Sequence, residues 1–478
     1  MAADPLASLG AILLFAVAGL GLTGLLPGLL ATAFPSRLGY AYLLGVAWVA
    51  GLLYALSHLF GVPLRAPAVF TVALIPPALA LPALLRRRSL SSLEKWRDRR
   101  RWLGLAAFAV GAAVSLGVLA DAMTEPVRDW DGRMTWSAQA RYVRAEGTVD
   151  ASALLRGKWY ISHPQYPLLL PVAQVAVLEA FGADEDEQPF RAAYAAFLPA
   201  LLLVLYDGAR RWAGRAPAAL AALAMTAVPF FAFGGEGGAI SVYSDLPLAG
   251  FYGAGLVLLL RGRPRLSDGL AAGLLLGAAG LTKNEGTPLA LLALASGGLM
   301  LGLLWRGRSR KRRAMKLALA AAGVALALSL LASWHAQIPN RQDENYAEFV
   351  DLGDFWPGVV TRIPSVGPVM LRQMLTWEHW AAFWWAAPLL LLAGWRGWLG
   401  GRRAVSLPLL LALAGPLAIA WGAYAVHWYP EDLARVTWNR LLMQGSVPLF
   451  LLLALCLRRV LQKASLSMPP QKLPPALR

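Results

Sequence analysis

The sequence predicts an all-α protein, a polytopic bundle of transmembrane helices, on three observations. Of 478 residues, 58% are hydrophobic and only 15% charged, against about 25% charged in ordinary soluble domains. The apolar residues arrive in blocks near bilayer length, not in strand alternation or short amphipathic stripes. The basic residues fall in short clusters between those blocks: Arg86–Arg88, Lys95–Arg101, Arg210–Arg215, Arg261–Arg265, Arg306–Arg313, Arg402–Arg403 and Arg458–Arg459. A net charge of +17 would otherwise point to nucleic acid. Distributed in this way it follows the positive-inside pattern of cytoplasmic loops, and no nucleic-acid partner is expected. No stretch outside the apolar blocks exceeds about 45 residues, which leaves no separate soluble core. The sole cysteine, Cys456, lies inside an apolar block and forms no intrachain disulfide.

The first block, Leu6–Leu30, ends near Ala31-Thr32-Ala33, which has the form of a signal-peptide cleavage site. Its head, Met1-Ala2-Ala3-Asp4, carries no basic side chain, and the run is longer than a signal core, so it is expected to be a mature transmembrane helix. Further spans are predicted at 39–60, 68–85, 103–120, 190–209, 217–233, 246–260, 268–281, 287–304, 317–336, 380–394, 405–425 and 441–457. One shorter block, Pro167–Phe181, carries prolines at 167 and 171. With the basic stretch 86–101 fixed in the cytoplasm, a crossing by 167–181 would place the clusters at Arg210, Arg261 and Arg306–Arg313 outside. Laid along the outer interface, it leaves every cluster inside and the acidic run Asp184–Glu187 outside. The expectation is therefore about 13 spans, with the N-terminus out and the C-terminus in. The chain divides into N-terminal helices 1–102, a core at 103–316 with the large outer loop 121–189, and C-terminal helices at 317–478 with outer loops 337–379 and 426–440.

This topology gathers polar chemistry on the outer face. Most acidic residues lie there, with His163, His379 and His427; His335 falls at the outer end of its span and only His58 is left elsewhere. Asp129-Trp130-Asp131 precedes Gly132–Glu146, where Trp136, Ala140 and Val143 recur at helical spacing opposite Arg133, Arg141 and Arg144. That is an amphipathic helix for the interface, and two carboxylates beside it suit a general base or metal ligands, or equally a helix N-cap. In His163-Pro164-Gln165-Tyr166-Pro167 two prolines fix an extended entry, with an imidazole and a phenol at headgroup level, for anchoring or for binding.

Lys283-Asn284-Glu285 stands between two apolar blocks with almost no loop, a depth at which ionisable groups need a partner or a polar cavity. Arg435 and Arg440 precede an outer-face helix start, the wrong side for the positive-inside rule. A phosphate would account for them, as would neutralisation by Glu431 and Asp432. Asp245, after the glycine-rich Gly234–Gly238, is a weaker candidate that also reads as a helix cap.

Taken together, Asp131 followed by Trp136 and a basic residue, His163-Pro-x-Tyr-Pro-Leu-Leu-Leu-Pro, Lys283-Asn-Glu-Gly, and Pro430-x-Asp-Leu with Arg440-Leu-Leu-x-Gln444 resemble bacterial polytopic glycosyltransferases of the GT-C superfamily. These are distant relatives of the protein O-mannosyltransferases and the lipid A aminoarabinose transferases. The resemblance runs from about residue 103 to residue 457, and order and shared side carry it more than any one motif. It implies a GT-C-type bundle with interfacial helices in the first large outer loop, in the bacterial inner membrane. It also implies transfer of a sugar, with inversion, from a polyprenyl-phosphate donor to a glycan, lipid or protein acceptor at the extracytoplasmic face. Asp131 then matches the acidic residue of that loop and serves as base, with Asp129 as its partner or as a ligand for a divalent metal such as Mg or Mn. Lys283, Arg435 and Arg440 receive the departing phosphate, and several relatives carry a lysine where this chain has His163. His163, Tyr166, Asp245, Asn284 and Glu285 complete the expected substrate-binding set. Two other classes compete: a transporter or flippase of lipid-linked sugar, which usually places its charges near the midplane on broken helices, and a non-catalytic assembly subunit. The sugar and the acceptor leave no readable motif.

Overall fold

The structure, a computed structural model, describes residues 5–86, 101–155, 163–182, 188–304, 309–338, 352–399, 403–427 and 429–467. Most of the basic stretch 86–101, the acidic run 184–187, residues 306–308 and Arg402 lie outside the described residues. All described secondary structure is helical. The chain opens with α1 (Pro5–Leu25), α2 (Pro27–Leu30), α3 (Phe34–Phe60), α4 (Ala66–Arg86) and α5 (Arg101–Thr124). A π-helical turn, Gly132–Ser137, leads into α6 (Ala138–Glu146), then α7 (Ser152–Leu155), α8 (Leu169–Phe181), α9 (Gln188–Ala195) and α10 (Phe197–Ala213). The middle holds α11 (Arg215–Thr226), α12 (Pro229–Phe233), α13 (Asp245–Leu259), α14 (Leu266–Thr282), α15 (Gly286–Leu303) and α16 (Arg310–His335). The chain closes with α17 (Leu352–Leu375), α18 (Trp377–Trp380), α19 (Phe383–Leu399), α20 (Arg403–Val426), α21 (Pro430–Gln444) and α22 (Ser446–Ser467).

Among the described residues, seven helical segments are long and apolar enough to cross a membrane: Pro5–Leu25, Phe34–Phe60, Gly104–Thr124, Gln188–Ala213, Gly286–Leu303, Arg310–His335 and Arg403–Val426. An eighth is formed if α21 and the following Ser446–Gln462 count as one span bent by 55°. The bend has a local cause, since Pro448 cannot donate to the carbonyl four residues back, at Gln444, and its ring crowds it. Small residues set the tightest helix contact. A Cβ on Gly19 would lie 1.6 Å from the Ala41 carbonyl, and one on Gly45 1.8 Å from that of Phe15, so α1 and α3 meet backbone to backbone. At the centre sits α13, buried along its whole length from Asp245 to Leu259. An apolar helix with no polar face belongs in the middle of a bundle.

Several expectations need correction. The predicted span 217–233 is broken, because Val228 is extended (φ −85°, ψ 111°) and Pro229 starts a new helix. The span 380–394 starts only at Phe383, since Ala381 adopts a left-handed φ of 47°. The outer loop 337–379 contains the 24-residue helix α17. It holds prolines at 357, 364 and 368, and spacings of seven and eleven put all three on one helix face. The block 167–181 packs against protein rather than lipid, since residues 169–178 of α8 are all buried. The helix after Asp131 likewise presents its apolar face to the protein, with Trp136, Ala140 and Val143 fully buried and Ser137 accepting a hydrogen bond from Gln174 of α8.

Candidate functional site

The site grows from the N-terminus of α13. Asp245, its first residue, is completely buried, and an isolated buried carboxylate is prohibitively costly. Three side chains satisfy it. Arg440 Nε donates to Oδ2 at 2.8 Å, while Lys283 Nζ at 3.1 Å and Gln444 Nε2 at 2.7 Å donate to Oδ1. Arg440 and Gln444 are four residues apart on α21 and therefore share a face. Lys283 is delivered by the joint between α14 and α15, where its own backbone is extended (φ −158°, ψ 154°). The chain then turns back so tightly that a Cβ on Gly286 would fall 1.8 Å from the Ala279 carbonyl.

Two further carboxylates complete the chain of ion pairs. Glu285 lies 2.9 Å from Lys283 Nζ, and Asp131 Oδ2 lies 3.0 Å from Arg440 Nη1. The Arg440 guanidinium rests 4.8 Å over the Tyr243 ring, and the Asp131 amide donates to the Tyr243 hydroxyl at 3.2 Å. Burial, reinforced by Asp131, pushes that hydroxyl's pKa up to about 12, which keeps it protonated. The cluster thus sets three carboxylates against two cations. The two inner members are sealed, with Asp245 fully buried and Lys283 5% exposed, whereas the Asp131 side chain is 24% and that of Glu285 31% exposed. Any ligand meets Asp131 and Glu285 first.

Asp129 is not part of this chain of pairs. It faces the glycine-rich loop, where a Cβ on Gly235 would sit 2.8 Å from its Oδ1. Burial lifts its carboxyl pKa to about 6, with Arg191 opposing and Glu236 adding to the rise. A carboxylate titrating there suits proton transfer near neutral pH. His163 and Tyr166 form an aromatic ladder. His163 stacks on Tyr166 at 4.6 Å, and Tyr166 stacks on buried Trp136 at 5.5 Å. His163 holds a left-handed φ of 61°, its carbonyl accepting from Gln139 at 2.9 Å, and Tyr166 is close enough to Arg440 to interact electrostatically. The pair is therefore stacked onto the protein through Trp136.

The structure does not bring every candidate in. Arg435 is exposed and pairs with Asp432 at 3.1 Å. Five residues from Arg440, it lies about 140° around the same helix and cannot share its face. Asn284 is exposed. His58 is not set apart from the other histidines: its Nδ1 lies 2.9 Å from Asp150 and its Nε2 3.0 Å from Ser333, two residues from His335, which donates to the Gln165 carbonyl of the His163 loop at 2.8 Å. Arg261 was grouped with solvated basic clusters, yet it is 5% exposed and pairs with Asp207 at 2.9 Å and Asp268 at 3.2 Å.

Three residues stand outside the candidate set read from the sequence. Gln444 closes the motif that begins at Arg440, and its i+4 spacing puts both on one helix face. Tyr243 had no signal beyond nearness to Asp245. Arg191, 3% exposed, donates to the carbonyls of Asp121 and Glu125 and to the Asp121 carboxylate at 2.7–2.8 Å, and so pins the start of the segment that carries Asp129 and Asp131. Among the described residues, no three His, Cys, Asp or Glu side chains are grouped to hold a metal ion. Of the two carboxylates expected to serve a divalent metal, Asp131 is paired with Arg440 at 3.0 Å, and Asp129 stands apart from that pair, facing Gly235. Comparison with known protein families, curated proteins and solved structures found no match to this chain.

Proposed function

We propose that this cluster is the active site of a membrane glycosyltransferase of GT-C type, which moves a sugar from a polyprenyl-phosphate donor to an acceptor hydroxyl at the extracytoplasmic face. The observation that supports it most is the ion pair between Asp131 and Arg440 at 3.0 Å. The group suited to act as base is held by the group suited to bind phosphate. In this mechanism the donor phosphate takes the outer face of Arg440 in place of Asp131, which is set free beside the acceptor. Asp131 accepts the hydroxyl proton as the oxygen attacks the anomeric carbon from the face opposite the phosphate. The bond from that carbon to the phosphate oxygen breaks, the configuration inverts, and the phosphate leaves with its charge stabilised by Arg440 and Lys283.

The thirteen-span topology belongs to the same proposal. Besides the seven long segments and the bent pair, apolar helices occur at Ala66–Pro82, Leu169–Phe181, Asp245–Leu259, Leu266–Thr282 and Phe383–Trp395. In this proposal Leu169–Phe181 does not cross, and the broken α11–α12 is the remaining span. The outward direction of the site rests on the charge distribution, and the bacterial inner membrane on the resemblance to the GT-C enzymes. One observation favours the transporter reading: a helix bent by 55° beside buried charges also suits a substrate that passes between broken helices. Incubation of the purified chain with a polyprenyl-phosphate sugar and trial acceptors separates the two. Glycosyl transfer yields free polyprenyl phosphate and an acceptor glycoside of opposite anomeric configuration, absent with Asp131→Asn. A donor left chemically unchanged under every condition speaks against the enzyme.

A further inference from the structure

A second polar site lies at the opposite end of α13, and it does not depend on the glycosyl-transfer reading. Where α13 ends, a small, partly open cavity of about 20 Å³ lies between α13, α15 and α16, lined by Arg313, Lys316 and Arg261, the last of them already paired with Asp207 and Asp268. The other walls are apolar, notably Met300, Leu301 and Leu317. Such a volume admits one or two oxygen-sized atoms. Lys316 is 3% exposed and donates to the carbonyls of Leu259 at 2.8 Å and Arg261 at 3.4 Å, closing the C-terminus of α13. Two donors remain over: Nε of Arg261, a residue 5% exposed, and Nε of Arg313 are buried without a hydrogen-bond partner among the described residues. Buried N–H groups without partners are rare in native structures.

We infer that this cavity binds the phosphate group of an anionic membrane phospholipid, its oxygens entering between Arg313, Lys316 and Arg261 and its acyl chains lying along Met300, Leu301 and Leu317. Guanidinium and ammonium donors match phosphate oxygens, and basic pockets between membrane helices hold anionic headgroups in this way. Both α15 and α16 are long and apolar enough to cross a membrane, and the cavity stands at the end where one helix leaves and the next begins. Free inorganic phosphate would satisfy the same donors but not the apolar wall.

The test uses the full chain in mild detergent, with binding of phosphatidylglycerol, diacylglycerol and inorganic phosphate measured by native mass spectrometry and thermal shift. Phosphatidylglycerol should bind and raise Tm, diacylglycerol should not, and millimolar inorganic phosphate should neither mimic nor displace the lipid. Arg313→Gln, at a partly exposed side chain, should fold normally and weaken phosphatidylglycerol binding about tenfold, with Lys316→Gln acting in the same direction. Equal lipid binding by wild type and a folded Arg313→Gln would overturn the site. Equal protection by inorganic phosphate would overturn the lipid as its occupant.

Discussion

Asp131 and Arg440 face each other at 3.0 Å, and the same guanidinium reaches Asp245 at 2.8 Å through its Nε. Arg440 is thus shared between a partly exposed carboxylate and a fully buried one. The buried contact holds the arginine in place, and the exposed contact is the one a ligand can replace. Under the proposed function this asymmetry separates an anchoring contact from one that a ligand replaces, and each member predicts a different outcome on substitution.

Asp131→Asn keeps the size of the side chain but removes both its basicity and its charge. Turnover should fall about a hundredfold or more. Affinity for polyprenyl phosphate should rise, because Arg440 loses a competing anion. Calorimetric titration of wild type and variant with the lipid phosphate, alongside the rate, checks both halves.

Arg440→Ala should weaken lipid-phosphate binding and also destabilise the fold, since it takes a charge partner from the buried Asp245. Breaking one side of a buried pair costs about 3–5 kcal/mol, with Lys283 and Gln444 offsetting part of it here. Arg440→Lys should recover little, because a single ammonium cannot reach both carboxylates as the fork does. Thermal denaturation in detergent reports the stability, and the same titration reports the binding.

Asp129 supplies a pH signature. Its carboxyl pKa is raised by burial to about 6 from an ordinary 3.8, so the folded state holds this proton more tightly than the unfolded chain. Stability therefore carries a penalty that is absent below about pH 4, grows as pH rises, and is complete above about pH 6. Asp129→Asn should be more stable than wild type at pH 7.5 and equal to it near pH 4. Melting temperatures across that range decide it, and an equal gain at both ends would contradict the assignment.

Topology is open to direct labelling. In a Cys456→Ser background, a cysteine at Trp130, which is 71% exposed, should react with an impermeant thiol reagent in intact cells. A cysteine at Lys311, also exposed, should react only after permeabilisation. Labelling of both from outside would overturn the proposed orientation.

Much of the site's address was legible before its geometry. Asp131 stands out as a carboxylate beside an amphipathic helix, Lys283 as a charge where a bilayer makes charge expensive and Arg440 as a cation on the wrong side for the positive-inside rule. The structure places them in one chain of contacts. Asp245, the weaker candidate that also reads as a helix cap, is the hub, because burial of the helix behind it cannot be seen from its own residues. Arg435 and Arg440 looked equivalent until α21 assigned them a phase. Helix α17 was hidden by prolines whose shared face appears only once the helix is drawn, and Arg261 by the assumption that a basic residue between apolar blocks meets water. Tyr243 left no trace in the sequence, since what it offers is a ring and a hydroxyl at a distance set entirely by the fold.

The central claim is that Asp131 and Arg440 belong to a transferase, and one measurement addresses it most directly. Purified wild-type protein in liposomes is given a labelled polyprenyl-phosphate sugar with an acceptor on one side, and both sugar transfer and donor movement across the bilayer are followed in the same vesicles. The account predicts release of polyprenyl phosphate matched one for one by glycosylated acceptor, lost in Asp131→Asn vesicles. Movement of intact donor across the bilayer by wild type, with no sugar transferred to any acceptor, would contradict it.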